Sequence, residues 1–146
     1  MAWAEAYPGD DSGDLSDPRV WATIPLAPAG ALAFGAGLGE VAVPALVVGG
    51  YDDDVTPWDT EVQPIYEGLQ STPRYLAGID RAGHFSFADL CLPMWNGCSD
   101  DDLPPEQVHA ITNTVATALL DVVRGEDRSA PYLPPEHEAL TWEGVE

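Results

Sequence analysis

Two short segments carry residues that can move protons. The first is Gly49-Gly50-Tyr51-Asp52-Asp53-Asp54-Val55-Thr56-Pro57, with three carboxylates in a row. The second is Ala82-Gly83-His84-Phe85-Ser86-Phe87, with an imidazole. A carboxylate that accepts one imidazole N–H fixes the tautomer and orientation of the ring. It also stabilises the imidazolium that forms when the ring takes up a proton. The other ring nitrogen is then placed to act as general base. This chemistry needs both segments at one rim of the molecule. In open parallel sheets, functional groups collect at the carboxyl ends of strands, so each segment should follow a strand.

The surrounding sequence supplies such strands. Val43-Pro44-Ala45-Leu46-Val47-Val48-Gly49-Gly50 is a continuous apolar run ending in glycines, the pattern of a strand buried on both faces. It leads straight into the acidic segment. Arg74-Tyr75-Leu76-Ala77-Gly78-Ile79 reads as the strand before the histidine, weakened by Gly78. Val20 to Leu26 is β-prone and reads as a third, earlier strand. Between Trp58 and Leu69, the positions of Val62, Ile65, Tyr66 and Leu69 predict a helix opened by Pro57. Val108, Ile111, Val115, Leu119 and Val122 give one apolar face to a helix from Pro104 to Arg124, with Gly125 as its C-cap. Pro28 to Gly39 is a Gly/Ala-rich connection anchored by Leu32, Phe34 and Leu38. Residues 1–18 form an acidic lead-in read as loop, with Met1–Tyr7 as the frayed end of a helix. Residues 19–125 hold the domain, and 126–146 are a Pro/Glu-rich tail expected to lie along the surface. Alternating strands and helices imply an α/β fold with a parallel sheet. About three parallel strands with flanking helices are few for that class, so the chain reads as part of a sheet.

On these residues the chain resembles the C-terminal half of an α/β-hydrolase. The likeness is to bacterial dienelactone-hydrolase-like and platelet-activating-factor-acetylhydrolase-like esterases, over residues 20–133. Gly50-Tyr51-Asp52-Asp53-Asp54-Val55-Thr56-Pro57 resembles the acid loop of that family. Ala82 to Phe87, followed by Asp89-Leu90-Cys91, resembles its histidine loop. The resemblance implies Asp53 as the acid and His84 as the base of a Ser-Asp-His triad acting on a carboxylic ester. The family places its serine in G-x-S-x-G at a strand-to-helix elbow upstream. None of Ser12, Ser16, Ser71, Ser86, Ser99 and Ser129 has glycines at both flanking positions. The expectation is therefore a C-terminal hydrolase fragment whose nucleophile and oxyanion donors lie elsewhere, inactive alone because the parts act as a unit. The substrate would be a small ester or a lipid, and no cofactor or metal is implied. The alternative is a non-catalytic, hydrolase-derived domain. Such a domain would use the edge of the Val20–Leu26 strand for oligomerisation or partner binding.

Other features have plainer readings. Asp52-Asp53-Asp54 lacks the ligand spacing of an EF-hand. Asp100-Asp101-Asp102 is expected to cap the last helix with favourable charge. Ser86 reads as a loop hydrogen-bonding residue, and His109 and His137 have no nameable partner. Phe85, Phe87 and Trp58 could line an acyl pocket or serve as core. Cys91 and Cys98 flank a short segment with Pro93 and Gly97, and read as a disulfide. A disulfide favours a secreted or periplasmic setting.

Composition limits the partners. The 146 residues hold 25 acidic side chains against five basic ones, all arginine, for a formal net charge of -20. Such a chain repels phosphate backbones and anionic membranes, which argues against nucleic acid as a partner. No apolar run approaches the roughly 18 residues of a membrane helix. The first 30 residues lack the basic start and apolar stretch of a signal peptide.

Overall fold

The computed structural model describes residues 17–125 and 137–145. The readings of a loop over the lead-in and of a helix end at Met1–Tyr7 concern residues outside these, apart from 17 and 18. The fold is mixed α/β, a three-stranded sheet with helices packed on it. Strand β1 is Ala45–Gly50 and β2 is Arg74–Ile79. They pair in parallel, Ala45 opposite Arg74 through Gly50 opposite Ile79. All six residues of β1 are buried, as its unbroken apolar run requires. One face of the sheet carries Ala45, Val47 and Leu76 against Val62, Ile65, Tyr66 and Leu69. The other carries Leu46, Val48, Tyr75, Ala77 and Ile79 against Val108, Ile111, Val115 and Leu119.

Before β1, α1 (Ala31–Phe34) precedes a 3-10 segment, Gly35–Glu40, whose Leu38 is buried. After β1, the Trp58–Leu69 helix starts as a π turn, Trp58–Val62, before becoming α2, Gln63–Gly68. The Gln63 amide reaches back five residues to the Trp58 carbonyl, and Pro64, which follows it, has no N–H to donate. Helix α3, Pro105–Arg124, ends on Gly125 in the left-handed conformation (φ 67°).

Three expectations need correction. The sheet is not all parallel. Residues Leu140–Val145 form β3, antiparallel to β2, where a surface tail was expected. Trp142 stacks on Tyr75 with ring centroids 5.0 Å apart, which anchors this acidic strand to the core. The Val20–Leu26 strand is reduced to two parallel bridges, Thr23 with Ala45 and Leu26 with Val48. The ladder is otherwise regular. Thr23 donates to Pro44, Leu46 to Thr23, Val48 to Pro25 and Ala27 to Val48. Pro25 stands where an N–H would donate to Leu46, so the run is interrupted. Finally, Asp100-Asp101-Asp102 does not cap α3. Pro104 is the N-cap residue, without a side-chain cap. The Asp102 carboxylate instead accepts hydrogen bonds from the Ser99 amide (2.7 Å) and hydroxyl (2.8 Å).

Candidate active site

β1 and β2 run in parallel, so their following loops emerge at the same rim. The Tyr51 amide continues the ladder by donating to Ile79, and the Asp52 amide donates to the Ala82 carbonyl at 3.1 Å. This second bond brings the two loops into contact. It requires Gly50, because a Cβ there would overlap the Ala82 carbonyl.

Asp53 is turned inward while Asp52 and Asp54 remain exposed. Four donors hold its carboxylate. Oδ1 accepts from the Val55 amide (2.8 Å) and the Thr56 amide (2.7 Å), closing a tight Asx turn. Oδ2 accepts from the Thr56 hydroxyl (2.8 Å) and lies 3.0 Å from Nδ1 of His84. A carboxylate is acceptor-only when ionised, so this contact assigns the ring proton to Nδ1. The side chain of Asp53 is fully buried, and that of His84 is 27% exposed. Among the described residues, Nε2 of His84 has no hydrogen-bond partner. A neutral ring held in this way presents its basic lone pair at Nε2.

His84 opens a 3-10 turn, His84–Phe87. Ser86 is fully buried within it. Its Oγ accepts from the Gly83 amide (3.1 Å) and donates to the Gly97 carbonyl (2.8 Å). Ser86 therefore ties loop to loop and faces away from nucleophilic chemistry. Phe85 meets the His84 ring edge-on at 5.3 Å and packs against Trp95. Trp58 packs against Tyr51 with the rings tilted by 43°, and Phe87 packs against the core.

Two residues join the site that the sequence did not single out. Thr56 is one: its hydroxyl touches Asp53, lies 3.2 Å from Nδ1 of His84 and 3.2 Å from the Ala27 carbonyl. Its signal was local, a small hydroxyl residue three places after an aspartate. Asn96 is the other. Its Oδ1 accepts from the His84 amide (2.7 Å) and the Asp54 amide (3.2 Å), and its Nδ2 donates to the Asp52 carbonyl (2.8 Å). One side chain thus clamps both loops, and nothing in its local sequence announces this. Asn96→Ala is expected to cost about 1–3 kcal/mol. It should also broaden the His84 Nδ1–H proton resonance. Urea denaturation and low-field NMR check both.

Asn96 is held in place by a covalent ring, the disulfide between Cys91 and Cys98. The ring backs onto the histidine turn through Gly83 and Gly97, where a Cβ on either would strike the other's backbone. Gly97 also has a φ of 87°. Chain entropy gives a loop this short about 2.5 kcal/mol. The double substitution Cys91→Ala/Cys98→Ala should lower unfolding stability by about that amount, and a denaturant titration measures it.

Among the described residues, no three His, Cys, Asp or Glu side chains group as metal ligands. None of their helices is long and apolar enough to cross a membrane. His137 accepts a hydrogen bond from the Ala139 amide at 3.1 Å, apart from this site. No protein-family model matches the chain, and no curated protein matches it.

Proposed function

We propose that this chain carries the acid–base half of a serine carboxylic-ester hydrolase. Asp53 orients the imidazole and His84 exchanges the protons. The observation that carries the reading is the contact between the buried Asp53 carboxylate and Nδ1 of His84, with Nε2 left unengaged. Resemblance of the two loops to α/β-hydrolase acid and histidine loops supports it.

In the reaction, Nε2 takes the proton of a serine hydroxyl as its oxygen attacks the ester carbonyl. Asp53 stabilises the resulting imidazolium, which then protonates the departing alkoxide. Water repeats the sequence on the acyl-enzyme, releasing the acid and restoring the serine. The serine comes from polypeptide outside the described residues. Of the serines within them, Ser86 is buried and bonded, Ser71 is buried, and Ser99 is bonded to Asp102.

The chain alone is therefore expected to show no His84-dependent hydrolysis of p-nitrophenyl acetate. Comparison with His84→Ala checks this, and turnover lost on that substitution would reveal a nucleophile within the chain. The positive test lies upstream. Coding sequence extended by about 100 codons should contain G-x-S-x-G, and the extended protein should hydrolyse the ester. An extended protein without that motif and without activity would refute the proposal.

A second reading has its own observation. Among the described residues, the Thr23–Leu26 segment pairs with β1 alone, and Val20, Trp21 and Leu26 are exposed. This open edge suits strand addition by a second copy or a partner. Sedimentation at micromolar concentration discriminates: a monomer at all concentrations argues against a self-associating edge.

A further inference from the structure

We propose that Asn96-Gly97 is a self-modifying site, at which the Gly97 nitrogen displaces ammonia from the Asn96 carboxamide and water then leaves an acidic residue at position 96. The inference stands on the geometry of the clamp and is independent of the hydrolase reading.

The carboxamide is held in a way that activates it. Its oxygen accepts from two backbone amides, those of His84 (2.7 Å) and Asp54 (3.2 Å). These donors fix which end of the group is oxygen. Two main-chain N–H groups converging on one carbonyl oxygen polarise its carbon and stabilise an oxyanion there. The Nδ2 atom lies 2.8 Å from the Asp52 carbonyl and 3.4 Å from a carboxylate oxygen of Asp54.

The attacking atom is next in the chain. Among the described residues, the Gly97 amide makes no hydrogen bond. Glycine has no side chain to shield that nitrogen. A Cβ placed on Gly83 would strike both the Gly97 nitrogen and Asn96 Oδ1, so the two atoms border one small space. Both residues line an open groove of about 600 Å³, the route for water in and ammonia out.

In the reaction, the Gly97 nitrogen bonds to Asn96 Cγ and gives up its proton. The Cγ–Nδ2 bond breaks, and Nδ2 departs with that proton as ammonia. The Asp54 carboxylate stabilises the positive charge that develops on the departing nitrogen. Water then opens the cyclic imide at either carbonyl, giving aspartate or isoaspartate. Neither product has an N–H to donate to the Asp52 carbonyl, and each adds negative charge beside Asp52 and Asp54. The conversion therefore releases the clamp, in one direction only.

The full chain is incubated folded in mildly alkaline buffer, and again in concentrated urea with the disulfide intact. Peptide mapping by mass spectrometry follows the replacement of NH by O at position 96. Conversion should be at least about tenfold faster in the folded chain, because only the fold supplies the two amides on Oδ1. Asn113, exposed on α3 and followed by Thr114, is the internal control and should stay unconverted over the same period. Asp54→Ala keeps both backbone donors, and with its folding verified by circular dichroism it should slow conversion at least about threefold. Equal or slower conversion in the folded chain would overturn the proposal. So would conversion at Asn113 as fast as at Asn96, or an unchanged rate in Asp54→Ala.

Discussion

Asp53→Asn is expected to disconnect the imidazole and leave a folded chain. The wild-type carboxylate accepts four hydrogen bonds, two at each oxygen. Asparagine has one acceptor oxygen and one donor nitrogen. The Val55 and Thr56 amides both point at the Oδ1 position, so they select the oxygen there. The NH₂ group must then face His84. A donor meeting the Nδ1–H donor is repulsive, and the ring shifts its proton to Nε2. The outer nitrogen can no longer accept a proton. In the extended protein, ester turnover should fall by about 10⁴-fold, the loss seen when a triad histidine is held in the wrong tautomer. In the chain itself, the nitrogen-15 pattern of the His84 ring should invert its tautomer. Stability should drop by only about 1–2 kcal/mol, since the Asx turn survives. An unaltered tautomer would show that Asp53 does not orient the ring.

Gly50→Ala should have the larger effect on folding. Gly50 closes β1, and a methyl group there lands on the backbone carbonyl of Ala82. Backbone in a sheet-flanking segment cannot rotate away as a side chain can. Relief requires the histidine segment to move off the acid loop, breaking the Asp52–Ala82 bond and straining the Asn96 clamp. Overpacking of this kind should cost about 3–5 kcal/mol, a large share of the stability of a small domain. Gly39→Ala is the control. Its nearest neighbour would be the flexible Gln70 side chain at 3.7 Å, and its backbone is unstrained. That substitution should change stability by less than about 1 kcal/mol. Equal urea midpoints for the two variants would contradict the close approach.

What could be read in the sequence was what neighbours in sequence decide. The β1 run is apolar because both of its faces are covered, and continuity alone reveals that. Val108, Ile111, Val115 and Leu119 show a helix period whatever they pack against. The acid and histidine segments stood out because each directly follows a strand. Long-range partners were invisible. Asn96 lies among residues that look like a turn, and its importance comes from bonds to Asp52, Asp54 and His84 across the fold. β3 looked like tail because Glu143 and Gly144 mask the strand; its reason to exist is Trp142 on Tyr75. Pro25 had the opposite effect, for it leaves a β-prone run intact to the eye while deleting one ladder donor. The serines of the chain are legible as types, but a hydroxyl becomes a nucleophile only through geometry.

The clamp built on Asn96 has a consequence for how this arrangement can be recognised elsewhere. Three α-carbons, at positions 50, 83 and 97, must carry hydrogen alone, and an amide must sit just before the last of them within a cystine ring. Overall similarity can fade while those constraints remain, because they are set by atomic overlap and not by ancestry. A glycine two places before one aspartate and three before another, an Ala-Gly-His, and an Asn-Gly inside a short cystine ring form a fingerprint readable in raw sequence.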